Sequence, residues 1–378
     1  MRTWRAILIS ALCATSALCF GSGPKQLAEL TASDGTETDD FGASVAISGD
    51  TAVVGAPYAT VGSNQYEGAA YVFVKPAGGW RSMTQVAKLA PIDGFPEEYF
   101  GSLVAVSGST IVVGPFIFEK PAGGWTDMNE TVALNHCSGA VALAGNTLVC
   151  GTEVFLKPKG GWVADQEPVA TLSEANPVKG DNFGYPVVIS EDTIAVGANA
   201  GSAAYIFVKP AGGWTSMTET AKLTASDGTG SDCFACSLAI NGKSVVVGAP
   251  DAGEGFTYTG AAYVFIEPPG GWMDMTENAE LTLSGDNYDS QLGFSVAVTG
   301  SKTVVGRPFN GNNENEGAAY LYKKPKSGWE TTSQATTELL PSDPIAGNSF
   351  AISVAMSGGT VVVGASKLGQ APGAAYVF

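Results

Sequence analysis

The chain has a single histidine, His136, among 378 residues. Any Ser-His-Asp or Cys-His nucleophile would have to be built on it. His136 stands in the short polar link Leu134-Asn-His-Cys137, which reads as surface rather than as a catalytic setting. Basic residues are scarce: 19 Lys and Arg face 36 Asp and Glu, a formal charge of −17. Binding to nucleic-acid phosphates needs the opposite balance, so no nucleic-acid partner is expected. Charged residues of both signs make up only 15% of the chain against 45% hydrophobic, the reverse of a disordered tail. No helix of useful length is visible, and no Gly-rich loop leads into one, so a phosphate cradle is missing. Past Phe20 no apolar run approaches the roughly 20 residues that span a bilayer, and no transmembrane segment is expected in the mature chain.

What is present begins with a targeting segment. Arg2 and Arg5 precede an apolar stretch from Ala6 to Phe20, and small residues follow. This is the pattern of a secretory signal peptide, with cleavage expected between Ala17 and Gly23. Ser16 and Leu18 fit a lipoprotein signal at Cys19 poorly. We therefore divide the chain into a signal peptide, 1–22, and one mature domain, 23–378. The mature domain keeps 17 basic and 36 acidic residues, a charge of −19, and is expected to be secreted or cell-surface.

The mature domain is one unit repeated seven times, which decides the fold before any other signal. The copies begin at Phe41, Phe100, Cys137, Phe183, Phe234, Leu292 and Phe350. Each opens with two short apolar strands, such as SVAIS and TAVVGA in the first copy, around a two-residue turn. The turns are Gly49-Asp50, Gly108-Ser109, Gly145-Asn146, Glu191-Asp192, Gly242-Lys243, Gly300-Ser301 and Gly358-Gly359. Gly stands first in six of the seven, where a hairpin turn demands positive φ. A third strand of the type GAAYVF follows, then Lys-Pro-Ala-Gly-Gly-Trp or a variant, then a fourth strand of the type AKLTAS. Continuous apolar strands suit sheets packed on both faces. Stacked four-stranded antiparallel sheets with a period near 50 describe the blades of a β-propeller. The last copy stops at Phe378 without a fourth strand, while Gln26–Ser33 matches the fourth strand Ala221–Ser226. The expected fold is all-β: a seven-bladed propeller whose N-terminal strand completes blade seven.

These landmarks resemble FG-GAP repeats. Phe41-Gly42 with Gly55-Ala56-Pro57 is a complete copy. Phe100-Gly101 and Phe183-Gly184 keep the first half, and Gly248-Ala249-Pro250 keeps the second. The pattern is similar to the propeller heads of integrin α-chains and of secreted microbial relatives. The resemblance implies an extracellular binding or adhesive role. It also implies calcium loops of the form Asp-x-Asp-x-Asp-Gly shortly before Gly-Ala-Pro. Here that place holds only the tight turn, too short to wrap the six to eight oxygens calcium requires, so neither a metal nor any other cofactor is expected.

Blade topology places the first-to-second turns and third-to-fourth loops on one face, and the second-to-third and inter-blade loops on the other. Only the latter face varies in length, and variable loops on a rigid scaffold carry function. Glu67, Asp251, Glu254, Glu314 and Glu316 lie on its second-to-third loops and are the candidate partner-binding residues. Copies two and three join these strands almost directly, through Gly114-Pro115 and Gly151-Thr152. A notch at blades two and three beside a raised acidic rim is therefore expected. A polar residue recurs two places before each Phe position, at Asp39, Glu98, Asn135, Asp181, Asp232, Ser290 and Asn348. Such repetition favours a local backbone role. The six tryptophans at equivalent positions are expected between blades.

Of the four mature cysteines, Cys137 and Cys150 share a hairpin whose register sets Cys150 opposite Val141, which predicts no bond between them. Cys233 and Cys236 read as a structural bridge or as free thiols. The function expected is a secreted binding or adhesion module that recognises an extracellular protein or glycan. A structural component of an appendage or matrix is the alternative, and an enzyme is not expected.

Overall fold

The computed structural model describes residues 24–253, 258–285, 290–309, 317–343, 349–366 and 372–378. The segment 1–22, expected from the sequence to be a signal peptide, lies outside them.

Seven sheets surround a central axis, each meandering outward. The innermost strands are Ser44–Ser48, Val104–Ser107, Val141–Ala144, Val187–Ser190, Ser237–Asn241, Ser295–Thr299 and Ser349–Ser357. Each turns back through its two-residue hairpin, whose first residue has positive φ in all seven copies, from 53° at Gly300 to 58° at Gly108 and Gly358. Glu191 takes the same conformation, φ 53°, without the freedom of a glycine. The second strands, such as Thr51–Ala56 and Ser244–Ala249, are apolar and buried throughout or nearly so. The fourth strands lie outermost: Ala87–Ala90, Val132–Ala133, Ala170–Ser173, Ala221–Thr224, Ala279–Leu281 and Thr337–Leu339 for blades one to six. Blade seven takes its outer strand from Ala28–Thr31, which runs antiparallel to Ala374–Val377 with Ala28 opposite Val377.

The core consists of seven seams, one between each pair of neighbouring blades. Trp80 packs with Leu30, Val362 and Val377 of blade seven and with Val54 and Phe73 of blade one. Trp272 does the same between blades four and five. All six equivalent tryptophans are buried at such seams. The seam between blades six and seven keeps Phe350 and Phe378, the counterparts of Phe41 and Phe73, without a tryptophan among its described residues.

A further element was not visible in the sequence. After four of the six Trp residues a short segment reaches back to the preceding blade and adds a parallel two-residue strand to its outer edge. Met83–Thr84 pairs with Leu30–Thr31, Met128–Asn129 with Leu89–Ala90, Met217–Thr218 with Leu172–Ser173, and Met275–Thr276 with Leu223–Thr224. The residue before each Met-Thr or Met-Asn pair caps one more backbone N–H: Ser82 accepts from Glu29, Asp127 from Lys88, Ser216 from Thr171, and Asp274 from Lys222. Exposed sheet edges invite unwanted pairing, and these straps close them.

The cysteine expectation is corrected. The register is as read, with Val141 opposite Cys150, yet Cys137 and Cys150 are disulfide-bonded with Cα atoms 5.5 Å apart. The expectation extended the strand back from Val141. The chain instead folds over at Ser138-Gly139, where Gly139 has φ 117°, and this returns Cys137 to its partner. Cys233 and Cys236 are also bonded, within the tight turn that opens blade five.

Candidate functional site

The two loop classes of the variable face are zipped together by backbone hydrogen bonds. Glu97, Tyr99 and Phe100 donate to the carbonyls of Gln65, Tyr66 and Glu67. Ala200 donates to Asp181, Asp251 to Asp232, and Leu292 to Thr259. The polar residues two places before the Phe position hold this arrangement from within. Asp39, Asp181 and Asp232 are all buried. Asp39 accepts from the Thr36 amide at 2.9 Å and from the Thr36 hydroxyl, and Asp232 binds Thr229 in the same way. Ser290 donates to the Thr259 carbonyl at 2.7 Å.

Two of the five candidate residues, Glu67 and Asp251, are among the described residues. Glu67 is only 3% exposed. Its carboxylate accepts from Asn64 Nδ2 at 2.7 Å, and Asn64 also donates to the Gly94 carbonyl. Glu67 therefore braces two loops and is not a partner-facing side chain, which corrects the expectation for it. Asp251 is half-buried and accepts from Gln291 Nε2 at 3.3 Å. Glu254, Glu314 and Glu316 lie outside the described residues.

Among the described residues, three depressions on this face stand out. One of about 210 Å³ sits over the Gly114-Pro115 link, lined by Glu98, Tyr99, Phe100 and Phe116. A second of about 420 Å³ lies over Gly151-Thr152, between Ser138-Gly139 and Asn182–Tyr185. These occupy the low side of the ring, where two-residue links replace long loops. Beside the first stands an aromatic group: Tyr58 meets Tyr66 and Tyr99 edge-on, with ring centroids 5.6 and 5.3 Å apart. Tyr66, Tyr99, Ile92 and Phe95 are exposed, Phe95 to 57%. Sequence reading attended to the acids and passed over these aromatics. The available signal was four large apolar side chains in polar, Gly- and Pro-containing loops, where core packing cannot use them.

The third depression, about 410 Å³, is in blade five and carries Asp227, Asp232, Tyr263 and Glu280. Tyr263 donates to Asp227 Oδ1 at 3.1 Å. Burial and the nearby Asp227 and Glu277 carboxylates push the Glu280 carboxyl above its ordinary range. Related groupings recur. In blade one Lys88 reaches Asp34 Oδ2 at 2.6 Å and lies 5.5 Å from the Tyr71 ring centre. Burial works against the charged Asp34, but Lys88 holds its carboxyl below the usual range.

The axis itself is different. Its channel, about 250 Å³, is lined by the innermost strands and almost wholly by aliphatic side chains, among them Val45, Ile47, Leu143, Ile189, Leu238 and Met356. Among the described residues no charged side chain or histidine lines it. His136 is on the surface, 3.5 Å from Glu167. Among the described residues no group of three or more His, Cys, Asp or Glu is arranged to hold a metal, and no helix is long and apolar enough to cross a membrane.

FG-GAP repeats match four segments of the chain, 24–73, 83–121, 217–265 and 334–378. No curated protein matches in sequence. Among solved structures, the WD40 domain of Pan2 from Neurospora crassa superimposes with a TM-score of 0.51. It is 10% identical, and the match covers 93% of this chain and 94% of that one. The likeness is one of fold.

Proposed function

From a chain that is an FG-GAP repeat protein folded as a seven-bladed propeller, we propose an extracellular binding module that holds a protein or glycan partner on its variable loop face. One observation carries this reading: the face is lopsided in a way that folding does not require. Short links close blades at least cost in entropy, yet only blades two and three have two-residue links at this position. The blade-two depression is lined by exposed Tyr99, which shares an aromatic group with exposed Tyr66 and an inter-blade loop with exposed Phe95. Exposed aromatics with backbone polar groups at hand suit both protein and sugar surfaces. The aliphatic axis supports binding over catalysis, because a propeller enzyme would converge polar groups there. Two disulfides and the N-terminal signal pattern favour an oxidising, extracellular setting.

The test uses the mature chain on arrays of extracellular-matrix proteins and glycans. Tyr66→Ala combined with Phe95→Ala should weaken the captured interaction at least tenfold while the melting temperature stays within a few degrees of the parent. Parent-like affinity in that variant would remove the site. Concentration-dependent polymerisation of the parent, with no array partner, would favour a structural matrix component instead.

A further inference from the structure

Five blades carry a tyrosine at the centre of the third strand, and each faces one residue of the adjacent outer strand. The pairs are Tyr71 with Lys88, Tyr205 with Lys222, Tyr263 with Glu280, Tyr320 with Glu338, and Tyr376 with Glu29. Three of these blades place a cation of the chain at the tyrosine. Lys88 sits over Tyr71 and bonds Asp34, and Lys222 sits over Tyr205 at 5.5 Å. In blade six, where the outer-strand residue is an acid, Arg307 Nη1 donates to the Tyr320 hydroxyl at 3.2 Å.

Blade five lacks any such cation. Its loop, Thr224-Ala-Ser-Asp-Gly-Thr-Gly-Ser-Asp232, nearly repeats the blade-one loop Thr31-Ala-Ser-Asp-Gly-Thr-Glu-Thr-Asp39. Asp227 therefore stands where Asp34 does. The position of Lys88 is taken by Glu280, and from Ser244 to Ser301 the sequence contains no Lys, Arg or His. Among the described residues, neither Asp227, Asp232 nor Glu280 is in an ion pair. A cavity of about 410 Å³ opens where blade one has its own lysine.

We propose that this cavity in blade five is a subsite for a primary ammonium, the lysine side chain of a partner protein. Blade one supplies the stand-in: the Lys88 ammonium, 2.6 Å from Asp34, shows which group this frame accepts. An arriving ammonium would meet Asp227 and Glu280, with Asp232 behind them. It would also relieve the repulsion between Asp227 and Glu280, which in its absence is met by holding Glu280 closer to its protonated form. A charge-assisted pair in a half-buried pocket is stronger than one on the open surface. This proposal rests on the binding-module reading and gives its partner a specific chemistry.

The experiment titrates the mature chain with the peptide acetyl-Gly-Gly-Lys-Gly-Gly-amide and follows the Tyr263 ring resonances by NMR. Saturable shifts at Tyr263 are expected, at least tenfold weaker when the lysine is acetylated, and 1-aminobutane should displace the peptide. Glu280→Lys, which installs the blade-one arrangement, should abolish the shifts, and Glu280→Gln should weaken them. Glu37→Lys changes the net charge equally on an exposed loop and should leave them intact, which separates the subsite from the general attraction of an acidic protein. Equal binding of the acetylated peptide, or parent-like binding by a folded Glu280→Lys variant, overturns the proposal. Array binding that survives Glu280→Lys while the peptide never bound would remove this subsite and leave the binding role standing.

Discussion

Glu174 shows how one repeat can keep a geometry while changing the group that enforces it. In blades one and five the buried loop aspartate is held by a threonine three residues earlier, Thr36 for Asp39 and Thr229 for Asp232. In blade four that place is Val178, and Glu174 stands where blade one has Ala32. Glu174 and Asp181 are 7% and 6% exposed, and neither Glu174 Oε1 nor Asp181 Oδ2 has a donor from its surroundings. No threonine serves this pair, and the two carboxyls act on one another instead. Burial first, and then Asp181, raise the Glu174 carboxyl above its ordinary 4.5. A raised folded-state value means that protonated Glu174 contributes fully below the unfolded value, and the contribution fades as pH rises through the folded one. Glu174→Gln keeps a donor without a charge. It should melt above the parent at pH 8 and lose that advantage at pH 4, as read by calorimetry at both pH values. Equal melting at pH 8 would show that the pair carries no such penalty. The repeat marked Asp181 for a local backbone role, but nothing in the sequence marked Glu174, seven residues earlier, as its partner.

At the level of elements, the sequence announced what repeats and concealed what reaches across. The hairpin turns, the apolar strands and the seam tryptophans were readable because each copy carries the same local signal. The straps were not, since Ser-Met-Thr and Asp-Met-Thr are short, half polar and form their bonds with another blade. The Cys137–Cys150 bond was misread because strand register alone cannot report a reversal at Ser138-Gly139. That bond closes a loop with a sequence separation of 13, for which chain-entropy arguments give about 3 kcal/mol. Replacing both cysteines by alanine should lower stability by about 2–3 kcal/mol on that basis, measured by urea denaturation. A change under about 0.5 kcal/mol would show that the reduced chain already holds this turn.

For the whole ring, two partial circles of side-chain bonds tie neighbouring blades together. On the tight-turn side, Ser48, Ser107, Ser190, Asn241 and Ser357 accept from the turn amides of Gly108, Gly145, Gly242, Gly300 and Gly49. On the loop side, Ser44, Ser237, Ser295 and Ser353 donate to the carbonyls of Gly101, Gly293, Ala351 and Gly42. Between blades three and four both circles are broken, because the corresponding positions are Ala144 and Ala140. Ala144→Ser should restore a bond to the Glu191 amide and add about 1 kcal/mol; no gain in a denaturant melt would place the limit on that seam elsewhere. Closure itself is tested by deleting residues 24–33. The shortened chain should aggregate or melt far below the parent, because blade seven would then expose a bare edge, whereas an unchanged melt would mean that the Ala28–Val377 pairing carries little of the ring's stability.

The borrowed outer strand of blade seven also sets an order in time. During synthesis a strapped blade can be closed as soon as the next repeat emerges, as blades one, three and four are. The strand at Ala28–Thr31, made first, is the one piece that cannot be placed until Ala374–Val377 has appeared. Its outer edge can take up Met83–Thr84 early, but the edge toward Ala374–Val377 must stay unpaired through the making of almost the whole propeller, and contacts so distant in sequence form slowly. An interrupted chain is therefore never a smaller finished ring, and the cell has a simple mark of incompleteness to act on: a first strand still waiting for its last.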